Sequence, residues 1–583
     1  MPTELIALLA KNGDVEEEIT GWLDDQGNVY VCVPGYVDFA SSRMILRQNA
    51  KVRIDGQRVE TGQACSMFQL NKTYTLSYVD CGDEKKVAIT FIQSGGVPTM
   101  FIDTQTGSME RIHMNPEDAE TGKIRLYSET GKVCHVGEIE KISGRGNYTW
   151  KEFDKKPYSI TLEKDAALLG MGAAQKWILL ANASDPSHMR NKIVYDFATK
   201  IGLPYSPDSR WVDLYLNGQY AGLYQLCERN EIHPERVALA EADAILLSIE
   251  DETRMISMNI PYVKTASGTA YRIHAPVNAN EYDKNRILNE LESLENGILQ
   301  IDDEAALENV IDVDSWALKY IVDDIFANSD AGARSHFIYF LQGKAYAGPV
   351  WDYDLSMGNR NAWQFESPRA YLTERLVVSD GFYCQLYHAL SQNSVFMNRV
   401  AEIYETEIVP LMEELITEQV DRYAIQVLQA GAADQHRWNV SQDVMGEVDK
   451  IRKFLQERVV FRSSIWLEKK DYQFVRADPR NGSYYAYYAV APGDRLTDLP
   501  ELVGNEDIAF TGWYEVETGE RYDSSLPVVS NLQLYAGWEN QLGHKIEQVV
   551  KVLPVGMLVL AFILLVYWDV RNIRRTGEKS GVR

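Results

Sequence analysis

Carboxylates cluster in two neighbouring segments of the chain. IVDDIFANSDAGARSH carries Asp323, Asp324 and Asp330, and GPVWDYDLSMGN carries Asp352 and Asp354. In phosphoryl transfer, carboxylates hold one or two Mg²⁺ ions against the phosphates while another aspartate receives the proton of the acceptor hydroxyl. If WDYD is extended, its period of two places both of its carboxylates on one face, where they can meet one metal. A DxD pair on its own is more often a solvated turn.

A glycine-rich turn precedes these acidic segments. ISGRGNYTW contains Gly144, Arg145 and Gly146, and the backbone N–H groups of such a turn can approach phosphates. Lys155 or Lys156 follows, at the start of a predicted strand. Protein kinases use the same order of elements, although a pair of glycines most often indicates only a turn.

Strands and helices are mixed from residue 141 to about 240. KPYSITLE and WVDLYLNGQYAGLYQL have the pattern of strands, and NGQYAG between apolar runs predicts a hairpin. PSHMRNKIVYDFATKIGL predicts a helix, because apolar residues recur every four positions from Ile193 to Ile201 and Gly202 follows. Arg190 on this helix either faces the same site as the glycine-rich turn or lies at the surface.

Further elements follow on both sides of the acidic segments. Residues 281–296 and 303–328 are predicted helices, and FIYFLQGKAYAGPVW between the two acidic segments predicts another hairpin. The stretch from about 380 to 468 is predicted to be largely helical. Short alternating runs predict one or two small β domains in residues 1–140, and strands rich in Tyr and Trp return in 471–540.

A series of motifs over residues 141–360 resembles the CotH (spore-coat protein H) kinase family. The motifs occur in the family's order: GRGNYTW, KKPYSITL, LLGM, KWILLAN, SHMRNKIVYDFA, LYLNGQYAGLYQLCERNEI and VWDYDLSMGN. HRW and RVVFRSSIWL extend the resemblance to about residue 468, which predicts a kinase-like domain over 141–470. Residues 471–540 resemble a surface repeat module of the Listeria–Bacteroides type.

The resemblance implies an atypical protein-kinase-like fold that binds ATP with Mg²⁺ or Mn²⁺. It also implies phosphorylation of Ser or Thr in protein partners. Carried over by motif, Asp330 is the catalytic residue, and Asp352 and Asp354 are the metal ligands. The residues expected to bind the nucleotide are Gly144, Arg145, Gly146, Lys156, Arg190 and Glu228, with Lys156 at the phosphates.

One departure from the family concerns the residues after Asp330. Many relatives carry an Asn there that completes the metal site, whereas this chain has AGARSHF, which offers Ser335 or His336. A serine hydroxyl still ligates Mg²⁺, less strongly than a carboxylate. We therefore predict Ser335 as a third metal ligand, and a lone His at a strand start as a surface residue.

Composition excludes several classes of protein. The 583 residues are 45% hydrophobic and 11% aromatic, which excludes wholesale disorder, and the net charge of -26 makes a nucleic-acid partner unfavourable. No CxxC or Cys/His cluster has the spacing of a zinc site. Buried thiols are predicted, with one amino-terminal disulfide as the alternative, for the six cysteines Cys32, Cys65, Cys81, Cys134, Cys227 and Cys384.

The carboxyl end predicts a membrane anchor. VLPVGMLVLAFILLVYW lies in a predicted transmembrane helix over 552–570, and a buried core helix is the alternative. The tail 571–583 is basic, which places it in the cytoplasm and the bulk of the chain outside the cell. Export needs a signal peptide that the first residues lack, so we expect the natural start to lie upstream; a cytoplasmic, tail-anchored protein is the competing topology.

These patterns predict a multidomain fold with an α+β kinase-like core, flanking all-β modules and one transmembrane helix. The predicted function is an ATP- and metal-dependent protein kinase whose substrates are surface or secreted proteins. The alternative is a surface adhesion or envelope-structure protein that uses the same domain as a binding scaffold. A metal-dependent hydrolase is less favoured, because the chain lacks the His-rich or paired-metal pattern of such sites.

Overall fold

The structure is a computed structural model of the whole chain. It describes residues 2–13, 15–47, 50–240, 244–299, 304–360, 362–379, 381–440, 443–505, 507–540 and Val566. The chain divides into two compact units, Met1–Lys470 and Asp471–Arg583.

Helices of the first unit are concentrated in its carboxyl-terminal half. They are α1 (Pro2–Leu5), α2 (Glu110–Met114), α3 (Tyr148–Glu152), α4 (Arg190–Lys200), α5 (Glu252–Ser257), α6 (Glu281–Leu299), α7 (Glu304–Val310), α8 (Val313–Ile325), α9 (Gln385–Gln392), α10 (Ser394–Ile403), α11 (Val409–Glu414), α12 (Val420–Trp438) and α13 (Val444–Trp466). Two π-helical turns, Tyr404–Ile408 and Leu415–Gln419, join α10 to α11 and α11 to α12. The predicted helical stretch from 380 to 468 is thereby confirmed.

Strands of the first unit begin near its amino terminus. They are β1 (Ile6–Asn12), β2 (Val15–Thr20), β3 (Trp22–Leu23), β4 (Val29–Val33), β5 (Arg43–Leu46), β6 (Val52–Ile54), β7 (Gln57–Val59), β8 (Thr73–Asp80), β9 (Asp83–Gln93), β10 (Thr99–Thr104), β11 (Ala119–Tyr127), β12 (Val133–Gly144), β13 (Tyr158–Ala166), β14 (Ala174–Leu180), β15 (Ser209–Leu216), β16 (Gln219–Glu228), β17 (Ile245–Ile249), β18 (Tyr262–Lys264), β19 (Ala270–Ala275), β20 (His336–Leu341), β21 (Lys344–Ala347), β22 (Val377–Ser379) and β23 (Phe382–Tyr383).

A ten-stranded sheet forms the centre of the first unit, in the order β14-β13-β12-β11-β10-β15-β16-β2-β1-β5. A six-stranded sheet, β3-β4-β9-β8-β6-β7, and a five-stranded sheet, β18-β19-β17-β20-β21, accompany it. The predicted hairpin at NGQYAG is confirmed as β15–β16, and the hairpin between the acidic segments as β20–β21. Strand β16 is almost entirely buried, as expected of a strand covered on both faces.

The predicted arrangement of a kinase-like core beside a separate amino-terminal β module is wrong. Strands β1, β2, β5, β10 and β11 from that region belong to the same sheet as β13 to β16. The junction is the parallel pairing of β10 with β15, in which Thr99 lies opposite Asp213. If the amino-terminal region formed its own domain, backbone N–H and C=O groups of two central strands would lose their hydrogen-bond partners.

The fold class also needs correction at the carboxyl end. Among the described residues, no helix is both long enough and apolar enough to span a membrane. The predicted helix at 552–570 and the basic tail 571–583 fall outside the described residues, apart from Val566. The corrected fold class is a multidomain fold rich in β strands, most of them paired antiparallel.

The second unit carries one four-stranded sheet. Its strands are β24 (Gln473–Asp478), β25 (Ala486–Val490), β26 (Ile508–Glu515) and β27 (Leu532–Asn540), in the order β25-β24-β27-β26. Alternate residues such as Val475, Ala477, Leu534 and Ala536 are buried on one face, as the period of a half-covered strand requires.

Candidate active site

Asp352 and Asp354 lie in an irregular segment that follows β21. The predicted extended geometry is wrong at Asp352, whose φ of 67° is left-handed. Tyr353 between them is fully buried, whereas the side chain of Asp352 is exposed and that of Asp354 is partly exposed. A non-glycine residue in this conformation is strained, and such residues concentrate at functional sites.

Burial and neighbouring negative charge raise the pKa of both carboxylates. Burial, followed by the negative charge of Asp352, raises the pKa of Asp354 to about 7, although Ser184 donates a hydrogen bond to it. The protein packed around Asp352 and the charge of Asp330 raise the pKa of Asp352 as well. The side chain of Asp352 is thus reached by solvent and also surrounded by protein, which places it in the wall of a cleft.

Asp330 lies in the loop that follows α8. Its carboxylate is 3.6 Å from the guanidinium of Arg334 and 3.5 Å from that of Arg360. Its backbone N–H donates to the side-chain oxygen of Asn328 at 3.0 Å, which fixes the turn. The negative charge of Asp330 contributes to the raised pKa of Asp352. The structure therefore brings these two predicted carboxylates into one site.

Ser335 connects this loop to Asp352. Its hydroxyl donates to Asp352 Oδ2 over a long 3.4 Å, and its φ is 50°. Ile249 at the end of β17 pairs with His336, so the next residue, Glu250, lies beside Ser335. Burial raises the pKa of Glu250, and Asp352 contributes to that rise. Four carboxylates, Asp330, Asp352, Asp354 and Glu250, therefore gather at this site.

Arg145 brings a positive side chain to this acidic site. Its guanidinium lies 5.3 Å from the centre of the Trp351 ring, and its charge acts to lower the pKa of Asp352. Its backbone N–H donates to the carbonyl of Pro157 instead of pointing freely into a turn. The side chain of Arg145, more than its backbone, is therefore placed to meet a phosphate.

Glycine is favoured at Gly144 and at Gly146 for two different structural reasons. A Cβ on Gly144 would lie 2.5 Å from Trp150 and 2.7 Å from Pro116, so only glycine fits that contact. Gly146 has a φ of 87°, which favours glycine. Both requirements belong to the turn between β12 and α3.

Lys156 makes its contacts away from the carboxylates. Its ammonium donates to the carbonyl oxygens of Trp150 at 2.7 Å and of Phe153 at 2.5 Å. The neighbouring Lys155 is buried and pairs with Asp434 on α12 at 2.7 Å. Neither lysine contacts Asp330, Asp352 or Asp354 among the described residues.

Arg190 and Glu228 hold the framework around the site. Arg190 is buried at the start of α4, pairs with Asp185 at 2.5 Å and donates to the carbonyl of Ser356, two residues after Asp354. Glu228 at the end of β16 accepts from Arg236 at 2.8 Å and from the backbone N–H of Gly172. Arg190 therefore anchors the segment that carries Asp352 and Asp354, whereas Glu228 joins loops at the end of the sheet.

The remaining aspartates of the first acidic segment are structural. Asp324 is fully buried between the guanidinium groups of Arg458 and Arg462 on α13. Asp323 is also fully buried, and its carboxylate pairs with Lys319 at 2.6 Å. His336, predicted at the surface, is buried instead, with Nδ1 3.7 Å from Asp323.

Several site residues carried no signal in the sequence. The charges of Arg254 on α5 and Arg272 on β19 act to lower the pKa of Glu250, and that of Arg254 also acts to lower the pKa of Asp352. Ser184 and Arg360 contact Asp354 and Asp330 directly. The KWILLAN motif ends two residues before Ser184 and does not include it, and nothing local distinguishes Arg254 from a surface arginine.

The carboxylate pair fits a divalent cation bound together with phosphates. Among the described residues, no Lys, Arg or His forms an ion pair with Asp352 or Asp354, although the charge of Asp352 raises the pKa of Asp354 and the charge of Asp330 raises that of Asp352. No group of three or more His, Cys, Asp or Glu placed to hold a metal occurs in the described part of the chain. Mg²⁺ commonly uses one or two carboxylates and takes its other ligands from water and phosphates, so two suffice.

Comparison with known proteins identifies the family. The sequence model described as CotH kinase protein matches residues 142–462, more than half of the chain. This chain belongs to the CotH kinase protein family. Inner spore coat protein H of Bacillus subtilis (strain 168) is 24% identical over 256 residues, which cover 42% of this chain and 68% of that protein. Every site residue described above lies within the CotH segment.

Proposed function

We propose that this CotH-family chain is an ATP- and divalent-metal-dependent protein kinase that phosphorylates Ser or Thr hydroxyls of surface or secreted proteins. The observation that carries the proposal is the acidic cleft, in which Asp352 and Asp354 lie beside Asp330 and Arg145. Family membership supports kinase-type chemistry, and the cleft supplies groups in the roles that phosphoryl transfer needs.

Each residue takes a separate role in this proposal. Asp352 and Asp354 would hold the metal, which when bound neutralises phosphate charge and orients the transferred group. Asp330 would accept the proton of the acceptor hydroxyl at a carboxylate oxygen, and Arg334 and Arg360 fix its position.

Arginine replaces lysine as the phosphate-binding residue in the proposal. Among the positive side chains, Arg145 has the largest effect in lowering the pKa of Asp352. The ammonium of Lys156, by contrast, is already bound by two carbonyl oxygens. A guanidinium suits phosphate because it donates two parallel hydrogen bonds.

A binding scaffold without catalysis is the second candidate. The engagement of Lys156 by loop carbonyls favours it, because the lysine that the family resemblance places at the phosphates is already bound within the protein. In both candidates, residues 471–540 are proposed as a surface repeat module of the Listeria–Bacteroides type that serves as a spacer or interaction domain.

The test is transfer of labelled γ-phosphate from ATP by the full chain, to itself and to a mixture of Ser-rich peptides, with Mg²⁺ or Mn²⁺. We expect Asp330→Asn to abolish transfer while leaving nucleotide binding intact. We expect Asp352→Asn combined with Asp354→Asn to weaken metal-dependent nucleotide binding. Asp80→Asn, at the exposed β8–β9 turn, is the matched control. Equal transfer by all variants, or a wild-type chain that neither transfers nor binds ATP, would contradict the kinase proposal and favour the scaffold.

A further inference from the structure

Asp323 is the meeting point of donors from several segments. This α8 carboxylate is fully buried and accepts hydrogen bonds from Lys319 Nζ at 2.6 Å, Tyr387 OH at 2.8 Å and Asn328 Nδ2 at 3.3 Å. The hydroxyl of Tyr353 donates to it as well. These donors come from its own helix, from α9 and from the two segments that carry the site.

The bond to Asn328 reaches the Asp330 loop. Asn328 gives its amide N–H to Asp323 and accepts the backbone N–H of Asp330 at 3.0 Å. The loop is closed further by the N–H of Ala331, which donates to the Asn328 carbonyl. Moving Asp323 would therefore shift the turn that presents Asp330.

The bond to Tyr353 reaches the metal-ligand segment. Tyr353 lies between Asp352 and Asp354, is fully buried, and has its backbone N–H held by Asn191 Oδ1 at 2.7 Å. These two bonds fix the backbone at Tyr353 and therefore also the adjacent backbone of Asp352 and Asp354. The positions of both carboxylates thus depend on the bond from the tyrosine hydroxyl to Asp323.

We infer that Asp323 is a positioning residue that holds the loop of Asp330 and the segment of Asp352 and Asp354 in one fixed arrangement. It does not face the cleft and acts only through Asn328 and Tyr353. The inference rests on the proposed function for its kinetic consequence. A carboxylate is required because its two oxygens accept from all these donors, whereas an asparagine would turn its NH₂ group towards one of them.

Two tyrosine variants separate positioning from stability in the full chain. Tyr353→Phe and Tyr387→Phe each remove one hydroxyl bond to Asp323 and keep the ring, but only Tyr353 belongs to a site segment. We expect Tyr353→Phe to lower kcat by about 10- to 100-fold and to weaken Mn²⁺ binding. Tyr387→Phe should change both by less than about twofold, at a similar loss in Tm. Equal losses of kcat and Mn²⁺ affinity in the two variants would overturn the inference.

Hydrogen exchange in the metal-free chain provides a readout besides activity. We expect Asn328→Ala to speed exchange of the amides of residues 329–334, and Tyr353→Phe to speed that of residues 351–357. Asp323→Asn should loosen both segments together. Two outcomes would contradict the proposed connection through Asp323: faster exchange spread evenly along α8 and α9, or unchanged exchange in both residues 329–334 and residues 351–357. If Asp323→Asn does not fold, the two single-link variants still decide the matter.

The two proposals fail in different ways. A wild-type chain without transfer would contradict the kinase, while the segment-specific exchange pattern would still support Asp323 as the connecting group. Conversely, an active wild-type chain with unchanged exchange in Tyr353→Phe would retain the kinase and remove the role of Asp323.

Discussion

At the scale of single residues, the raised pKa of Asp354 gives the site a measurable pH dependence. Burial and the charge of Asp352 raise the pKa of Asp354 to about 7, and a metal binds only the ionised carboxylate. Below pH 7, protons therefore compete with the metal, so the Kd for Mn²⁺ should rise by up to about tenfold per pH unit. Titration of the nucleotide-free chain with Mn²⁺ alone at pH 6 and pH 8, followed by electron paramagnetic resonance, checks this. Asp354→Asn should bind weakly at both values; a wild-type Kd that is equal at both would contradict the assignment.

A second residue-scale prediction concerns Asp213, which lies in β15 away from the cleft. Burial raises its pKa to about 7, the charge of Asp434 adds to this rise, and Tyr220 donates to it at 3.0 Å. The folded chain thus retains a proton that the unfolded chain loses above pH 4, so stability falls as pH rises from about 4 to 7. Asp213→Asn should remove this loss and increase the free energy of unfolding by up to about 4 kcal/mol above pH 7.

Urea unfolding of this variant and the wild type at pH 4.5 and pH 7.5 measures the effect. The advantage of Asp213→Asn should be larger at pH 7.5, whereas Asp80→Asn should show no such difference. An equal advantage at both pH values would mean that the carboxylate of Asp213 is ionised in the folded chain.

The structure brings the predicted acidic residues together more fully than the predicted basic ones. Asp330, Asp352 and Asp354 stand in long motifs and lie in one cleft, while their roles remain predictions. The choice between Lys155 and Lys156 could not be made locally, because it depends on Asp434 in α12, far along the chain, and on the carbonyls of the α3 turn. The same limit applies to Arg254, whose position is set by the sheet that carries Glu250.

At the scale of elements, two glycines predict opposite effects of one added methyl group. Gly431 lies inside α12, where a Cβ would meet Val444 at 3.5 Å and His188 at 3.8 Å, both ordinary contacts. Gly431→Ala should stabilise the chain by about 0.5–1 kcal/mol, because alanine favours the helix. Gly144→Ala, by contrast, places a methyl 2.5 Å from Trp150 and should cost about 1–3 kcal/mol. Thermal unfolding of both variants checks the signs; a higher Tm for Gly144→Ala would refute the packing argument.

Elements bounded by local signals were predicted, and pairings between distant elements were not. The Asn217–Gly218 and Gln342–Gly343 turns define the β15–β16 and β20–β21 hairpins within a few residues. The parallel pairing of β10 with β15 joins segments more than 100 residues apart, and no local pattern encodes it. The left-handed φ of Asp352 likewise depends on the burial of Tyr353 against Asp323 and was predicted wrongly.

At the scale of the whole molecule, the family-matched segment and the amino-terminal region share one sheet. Residues 1–140 supply β1, β2, β5, β10, β11 and most of β12, and β10 stands between β11 and β15. They also supply seven buried side chains of the core cluster that contains Trp177 and Leu214, namely Met100, Ile102, Met109, Ile112, Ile124, Leu126 and Ile139. At about 1.5–3 kcal/mol each, their loss removes about 10–21 kcal/mol.

A fragment of residues 141–470, which contains all of the family-matched segment, should therefore fail to fold. The expected loss is comparable with or larger than the roughly 5–15 kcal/mol by which a typical protein is stable, and β15 would also lose its partner strand from Thr99 to Ile102. Residues 1–470, which form the first compact unit, should fold and bind Mn²⁺ like the full chain. Circular dichroism during thermal unfolding distinguishes the two fragments. A cooperative transition in 141–470 at the Tm of 1–470 would show that the kinase-like segment is a domain of its own, and that β10 and β11 are dispensable additions to its sheet.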